Sequence, residues 1–372
     1  MKLDKKMKKN LFTFIFVMIA ILIYVGSGKL LDKRFEKKFE IESIFGKDRY
    51  ETSVLANELA WEKCDEAILI NTNHIDEAIT AVSYANELDI PLFFTQQGEI
   101  SSDVWTRIKK LGVKKVYLVG GIKSISKSVE RAIQRTGAET IRITEKEGSD
   151  ISIRFAESLY KIRKFDTVAL AVGEEFGYAE GVSMAIAASR DNIPVITLNE
   201  SDILETVEFL KEKNIKKTYI IGDNNKISTT IEKLVPNPER ISGKDSYDLN
   251  RKIAEKFYDL ENTDRAFVVK GGTYLYGERL QIGEFVNSLS VANISSDENI
   301  PIIFCNENFL DEEQENFINK YGINKLTSVG FVLERNKILN PDRVRNAFGI
   351  ALVITAFILL FRALRKDEEI IK

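Results

Sequence analysis

The chain has 372 residues, of which 53 are basic and 56 acidic, giving a formal net charge of −3, and 44% are hydrophobic. Its one histidine and two cysteines, Cys64 and Cys305, exclude a multi-histidine metal centre, a CxxC zinc module and a disulfide framework. No metal or cofactor is expected. The charge is uneven. Residues 1–10 hold five lysines and one aspartate, and residues 343–372 hold six basic and three acidic residues, which leaves a net of −10 between 11 and 342. An acidic body repels phosphate backbones, so nucleic acid is not an expected partner.

In chain order, the basic end 1–10 precedes an apolar run at 11–25 (LFTFIFVMIAILIYV) whose only polar member is Thr13. Extended to 11–28 it reaches the roughly 17–25 residues of a membrane span. The expectation is a transmembrane helix or signal anchor, with a cleaved signal peptide as the alternative. Residues 347–361 (AFGIALVITAFILLF) form a second run, bounded by Arg343, Arg345, Arg362, Arg365 and Lys366. It predicts a second transmembrane helix over 347–363, followed by a tail at 364–372. The lysines before the first run place both ends in the cytoplasm and the body outside. The expected location is the cell membrane, with 41–340 on the extracellular side.

Between the two runs, short β-branched stretches at 67–71, 91–95 and 115–119 alternate with helical spacing at 77–88 and 101–111. Short apolar runs bounded by turn signals are typical of buried parallel strands, and their alternation with helices predicts α/β layers. The pattern recurs. Asp89-Ile90-Pro91 returns as Asn192-Ile193-Pro194 and as Asn299-Ile300-Pro301. Val119-Gly120 returns as Ile221-Gly222 and Val329-Gly330, and Glu77, Glu180 and Asn287 each lie 14 residues before their proline. Three modules follow, at 41–140, 141–239 and 240–340, the third with extra residues around Gly271–Gly283.

Gly46-Lys47-Asp48-Arg49-Tyr50-Glu51-Thr52, with Ile75–Ile79, Ile90-Pro91 and Val119-Gly120-Gly121, resembles the type-two cell-wall-binding repeat of Gram-positive, clostridia-like bacteria. The resemblance spans about 300 residues. It implies three tandem Rossmann-like modules in a pseudo-threefold set and non-covalent attachment to an anionic cell-wall polymer. The first repeat keeps the motif best. The second has Glu147-Gly148-Ser149-Asp150 in its place, and the third keeps Gly243-Lys244-Asp245-Ser246-Tyr247 without the arginine.

The full expected fold is α/β, with these modules flanked by N- and C-terminal transmembrane helices. The ligand-binding candidates are Lys47, Asp48, Arg49, Tyr50, Glu77, Gly120, Gly121 and Glu180. Arg49 offers a bidentate guanidinium for phosphate or carboxylate; its structural alternative is that Asp48 and Arg49 cap the helix while Tyr50 packs. Glu77 and Glu180 follow a strand, at the carboxyl edge where open sheets place ligands, or they complement a helix dipole. Gly120-Gly121 permits a tight turn whose amides suit an anion. Gly46-Lys47 lacks the Walker A pattern, Gly271-Gly272 lacks the dinucleotide fingerprint, and no nucleophile motif accompanies His74. No catalytic residue is expected. The leading reading is an envelope binding or structural protein whose partners are wall polymer or other envelope proteins. A membrane-tethered enzyme acting on wall glycans or precursors, and a pure assembly scaffold, are the alternatives.

Overall fold

The structure, a computed structural model, describes residues 18, 38–144, 150–199, 203–272, 274–275, 279–334, 353–354 and 357. By contacts the chain divides into a body, 41–333, and a unit made of 1–40 and 334–372. The flanking transmembrane helices are corrected: among the described residues, no helix is long and apolar enough to cross a membrane. Only Met18, Val353, Ile354 and Phe357 of the two expected spans are described, and the rest of both segments lies outside the described residues. A fifteen-residue apolar run falls short of a full span on its own, so hydropathy did not specify one. Membrane contact through two helices and a membrane location lose their support with it.

Among the described residues the body holds three four-stranded sheets. In the first, Glu66–Asn71 lies between Leu92–Thr95 and Lys115–Val119, with Glu139–Ile143 outside the latter. The second repeats this order with Thr167–Val172, Val195–Leu198, Lys217–Ile221 and Pro238–Ile241. The strand pairings in both are parallel, and Ile68, Leu69 and Ile70 have no exposed surface. Strands covered on both faces require such unbroken apolar sequence. In the third sheet Arg265–Lys270, Ile302–Cys305 and Lys325–Val329 take the first three places. The fourth is filled by Glu40–Ile44, from the start of the body.

The recurring sequence markers have physical causes. Asp89, Asn192 and Asn299 have φ of 51°, 54° and 55°, the left-handed region that Asn and Asp tolerate best among residues with a side chain. Asp89 ends the helix Ile75–Leu88, and the proline two residues on prevents the helix from resuming. Gly120, Gly222 and Gly330 have φ of 86°, 111° and 84°. Each donates its N–H to the fourth strand of its sheet, at Ile143, Ile241 and Ile44 respectively.

The second helix of each module faces the middle of the body. Ile75–Leu88, Tyr178–Ala188 and Ile282–Ser290 touch one another, and each also packs on the first helix of the next module, Ile151–Ile162, Ser246–Phe257 and Arg49–Ala60 in turn. That cycle is the pseudo-threefold relation. Small residues such as Ala81, Ala85, Ala185 and Ala188, all essentially without exposed surface, allow the close approach. A side chain on Gly181 would meet Ile79 Cδ1 at 2.8 Å. Polar ties cross the same seams: Ser83 Oγ donates to Ile193 O (3.0 Å) and Asn250 Nδ2 to Ser183 Oγ (2.9 Å).

Candidate binding faces at the carboxyl edge of the sheets

Strand order places a switch point between the first and third strands of each sheet, the position where open α/β sheets form a crevice. In the first module Glu77 stands there, in the first turn of its helix and 8% exposed. Ser124 Oγ donates to Glu77 Oε2 at 3.3 Å, and Asn71 Nδ2 donates to Ser124 O at 2.6 Å. His74 Nδ1 lies 3.9 Å from Glu77 Oε1. A Cβ on Gly120 would come within 2.8 Å of the same Oε1. Glu77 is therefore closed in against the glycine turn. Gly120 N–H is already donated to Ile143 O, while both carbonyls of the Gly120-Gly121 pair accept from Arg142 Nη1. Gly121 itself faces open space.

The second module reproduces the geometry with different chemistry. Glu180 is ion-paired with Lys226, which stands four residues after Gly222 as Ser124 stands four after Gly120. Arg240 Nη1 bonds the carbonyls of Gly222 and Asp223 as Arg142 does above. The reading from sequence missed Ser124, Lys226, Arg142 and Arg240; their constant offsets from the glycines were the available signal. In the third module a Cβ on Gly330 would strike Asn287 Nδ2 at 2.0 Å, so the same pair of positions meets again.

Lys47, Asp48, Arg49 and Tyr50 gather at the start of the helix Arg49–Ala60. Asp48 is the N-cap, accepting from Tyr50 N and Glu51 N at 2.9 Å, a bond that satisfies otherwise orphaned helix amides. Asp245 and Asp150 cap the corresponding helices, so the capping function persists in the second module although the sequence around it has diverged. Lys47 Nζ pairs with Asp103 at 2.6 Å, and that hydrogen bond raises its pKa. Tyr50 is buried, its hydroxyl 3.4 Å from Thr72 Oγ1. Arg49 differs from all of them. Like Lys47 and Asp48 it is exposed, but its guanidinium, 6.0 Å from the Tyr50 ring, is paired with no carboxylate among the described residues.

The face thus divides by module junction. Arg49 lies beside Gly283 of the third module, where an added Cβ would be 3.0 Å from its Cζ. Glu180 shares a cleft of about 260 Å³ with Lys226 and with Gly243–Ser246, the third module's version of the motif. Tyr178 packs edge-on against Phe285. Burial raises its pKa, and Asp76, Glu175, Glu174 and Glu77 add to the rise; the helices Ile75–Leu88 and Tyr178–Ala188 pack against each other.

The family model for cell wall binding domain 2 (CWB2) matches residues 43–130 and 240–341, about half of the chain. The N-acetylmuramoyl-L-alanine amidase LytC of Bacillus subtilis (strain 168) is 26% identical over 235 residues, 63% of this chain and 46% of that protein. An amidase enhancer of the same organism is 26% identical over 265 residues, 70% of this chain and 34% of that protein. The chain thus spans half or less of these relatives. Among solved structures, Cwp6 from Clostridium difficile has a TM-score of 0.70 at 18% identity, covering 80% of this chain and 46% of that one. Cwp8 from the same organism has a TM-score of 0.67 at 22% identity, covering 87% and 53%. Both show a shared fold.

Proposed function

This chain belongs to the cell wall binding domain 2 family, and we propose that its body attaches non-covalently to an anionic polymer of the cell wall, outside the cell and without a catalytic step. The observation that carries the choice of ligand is Arg49. In a body of net negative charge, it is an exposed guanidinium with no carboxylate partner among the described residues, set at a helix start. A guanidinium binds phosphate or carboxylate through two parallel hydrogen bonds, and the helix start adds favourable dipole. At about 0.15 M salt the screening length is roughly 8 Å, so the distant acidic residues weigh little against this local donor. Lys47 contributes less, because Asp103 already neutralises it. The amidase activity named for LytC stays with that protein, of which this chain matches less than half.

The test is retention of the full chain on purified wall polymer. Arg49→Ala should lower retention several-fold, a loss of about 1–3 kcal/mol for a charge-assisted contact, with an unchanged melting curve and partial recovery in Arg49→Lys. Unchanged retention in Arg49→Ala would remove Arg49 from the site, and no retention of the wild type would refute polymer binding.

A further inference from the structure

The opposite, amino edge of the second sheet opens into a cavity of about 610 Å³. Its walls come from the segments entering three strands: Tyr160–Thr167, Asp191–Ile193 and Lys213–Lys216. The other two modules show why it is there. In the first, the helix Arg49–Ala60 ends at Trp61, which is 8% exposed and donates its indole N–H to both Asp89 O and Asp89 Oδ1 at 3.2 Å. In the third, the corresponding helix ends at Tyr258, 7% exposed, and Asn299 Oδ1 accepts from Asp259 N at 3.0 Å. An aromatic ring therefore plugs the amino edge in both, and the left-handed residue before Ile-Pro has a partner.

In the second module the same helix position is Arg163, whose side chain is 59% exposed and reaches Glu87 at 3.5 Å. No ring fills the space. Asn192, the left-handed residue, is 7% exposed and lines the cavity, and its Oδ1 has no hydrogen-bond partner. This oxygen is itself closed off from solvent, so an occupant of the cavity meets the amide through its other atoms, and bonds the oxygen only when the amide turns.

The surrounding chemistry defines that occupant. Arg163, Lys164, Lys213 and Lys216 line the cavity against two carboxylates, Asp166 and Asp191. Lys213 pairs with Glu212 and Lys216 with Asp166. Lys164 has no carboxylate partner among the described residues; its Nζ stands 3.9 Å from the centre of the Tyr160 ring. Tyr160 and Phe165, edge to face at 5.1 Å, form an aromatic wall. Cations match a phosphate, the amides of Asn192 and Asn214 match hydroxyls, and the aromatic wall matches the C–H face of a sugar ring. The volume falls in the range of small-ligand sites, in a cleft that is open to solvent on one side.

We infer that this cavity binds a phosphorylated sugar, either free or as a unit of the wall polymer. Only the second of these sources rests on the polymer reading above. The site lies in the module that the family model does not match, and the Gly46–Thr52 motif has no part in it.

Calorimetric titration of the full chain with glucose 1-phosphate, glucose and inorganic phosphate tests it. Glucose 1-phosphate should bind more tightly than either fragment. Asn192→Asp, which keeps a left-handed-tolerant residue but adds negative charge, should weaken it about tenfold or more, as should Lys164→Glu. Arg163→Trp, which restores the plug of the first module, should abolish it, and Arg49→Ala should leave it unchanged. Displacement of glucose 1-phosphate by purified wall polymer would identify the polymer as the source, and lack of displacement would identify a free sugar phosphate. Absence of glucose 1-phosphate binding in the wild type, equal binding of phosphate alone, or full affinity in folded Asn192→Asp and Lys164→Glu would overturn the inference. Polymer retention without glucose 1-phosphate binding would sink this site and leave the polymer reading standing; the converse would do the reverse.

Discussion

Gly330 donates its backbone N–H to the carbonyl of Ile44 at 2.8 Å, joining the last strand of the third module to a strand that precedes the first. Ser43 Oγ and Ser328 Oγ, 2.8 Å apart, strengthen the same seam. The body is thereby closed into a ring: the chain enters through the sheet in which it ends. Ile44 is 8% exposed, so Ile44→Ala should cost about 2 kcal/mol. The loss should appear in the urea midpoint and, locally, as faster hydrogen exchange at Gly330. Equal exchange in the mutant would show that the closing strand adds nothing to the third sheet.

Gly120 and Gly121 are adjacent but not equivalent. Gly120 has φ of 86°, and a Cβ there would lie 2.6 Å from Ser124 Cβ, whereas nothing lies within 4 Å of a Cβ on Gly121. Gly120→Ala should therefore destabilise the body by about 1–3 kcal/mol, and Gly121→Ala should stay within about 0.5 kcal/mol of wild type. Thermal melts of the two variants check the contrast.

Arg107 is 4% exposed, and its Nη2 donates to Asn57 O at 3.1 Å and Trp61 O at 2.5 Å. It thus satisfies carbonyls at the end of the helix Arg49–Ala60, where a cation is also favoured by the dipole. Arg107→Met keeps most of the volume but leaves Trp61 O without its donor, while Asn57 O still accepts from Trp61 N, and should cost about 2 kcal/mol by chemical denaturation. A neutral result would mean that solvent replaces the guanidinium.

Burial alone would raise the carboxyl pKa of Glu66, but hydrogen bonds from Lys115 and Tyr117 outweigh it and hold the pKa below its ordinary value. Lys115 Nζ and Tyr117 Oη lie 2.5 and 2.7 Å from the carboxylate. A folded pKa below the unfolded one contributes stability that is complete above the unfolded value of about 4.3 and lost as pH falls through the folded value. Glu66→Gln should then reduce the fall in urea midpoint between about pH 6 and pH 3. Glu239, Asp248 and Glu255, shifted in the same direction, should leave a residual acid sensitivity in the variant.

The threefold recurrence of the α/β pattern was legible in the sequence because the markers answer to local sterics. A left-handed residue before Ile-Pro and a positive-φ glycine after the third strand are conditions on single residues, met at Asp89, Asn192 and Asn299 and at Gly120, Gly222 and Gly330. Apolar runs such as 68–70 identified buried strands for the same local reason. The motif at Gly46–Thr52 pointed to a helix start, and Asp48 caps one. Hydropathy at 11–28 and 347–363 was a weaker guide, because a run of that length admits more than one kind of helix.

What the tertiary structure alone decided was partnership. The strand Glu40–Ile44 has the same half-buried character as Glu139–Ile143, and nothing in it names the third sheet rather than the first. Lys47 and Arg49 are both exposed basic members of one motif, yet Asp103, distant in sequence, pairs with the first, and no carboxylate among the described residues pairs with the second. The open amino edge of the second module likewise appears only when Trp61, Arg163 and Tyr258 are superposed as the same helix end. Backbone conformation depends on a residue and its immediate neighbours, so the sequence carries it. Pairing of strands and charges depends on which segments meet across the fold, and that meeting is fixed only when the three sheets close around their shared helices.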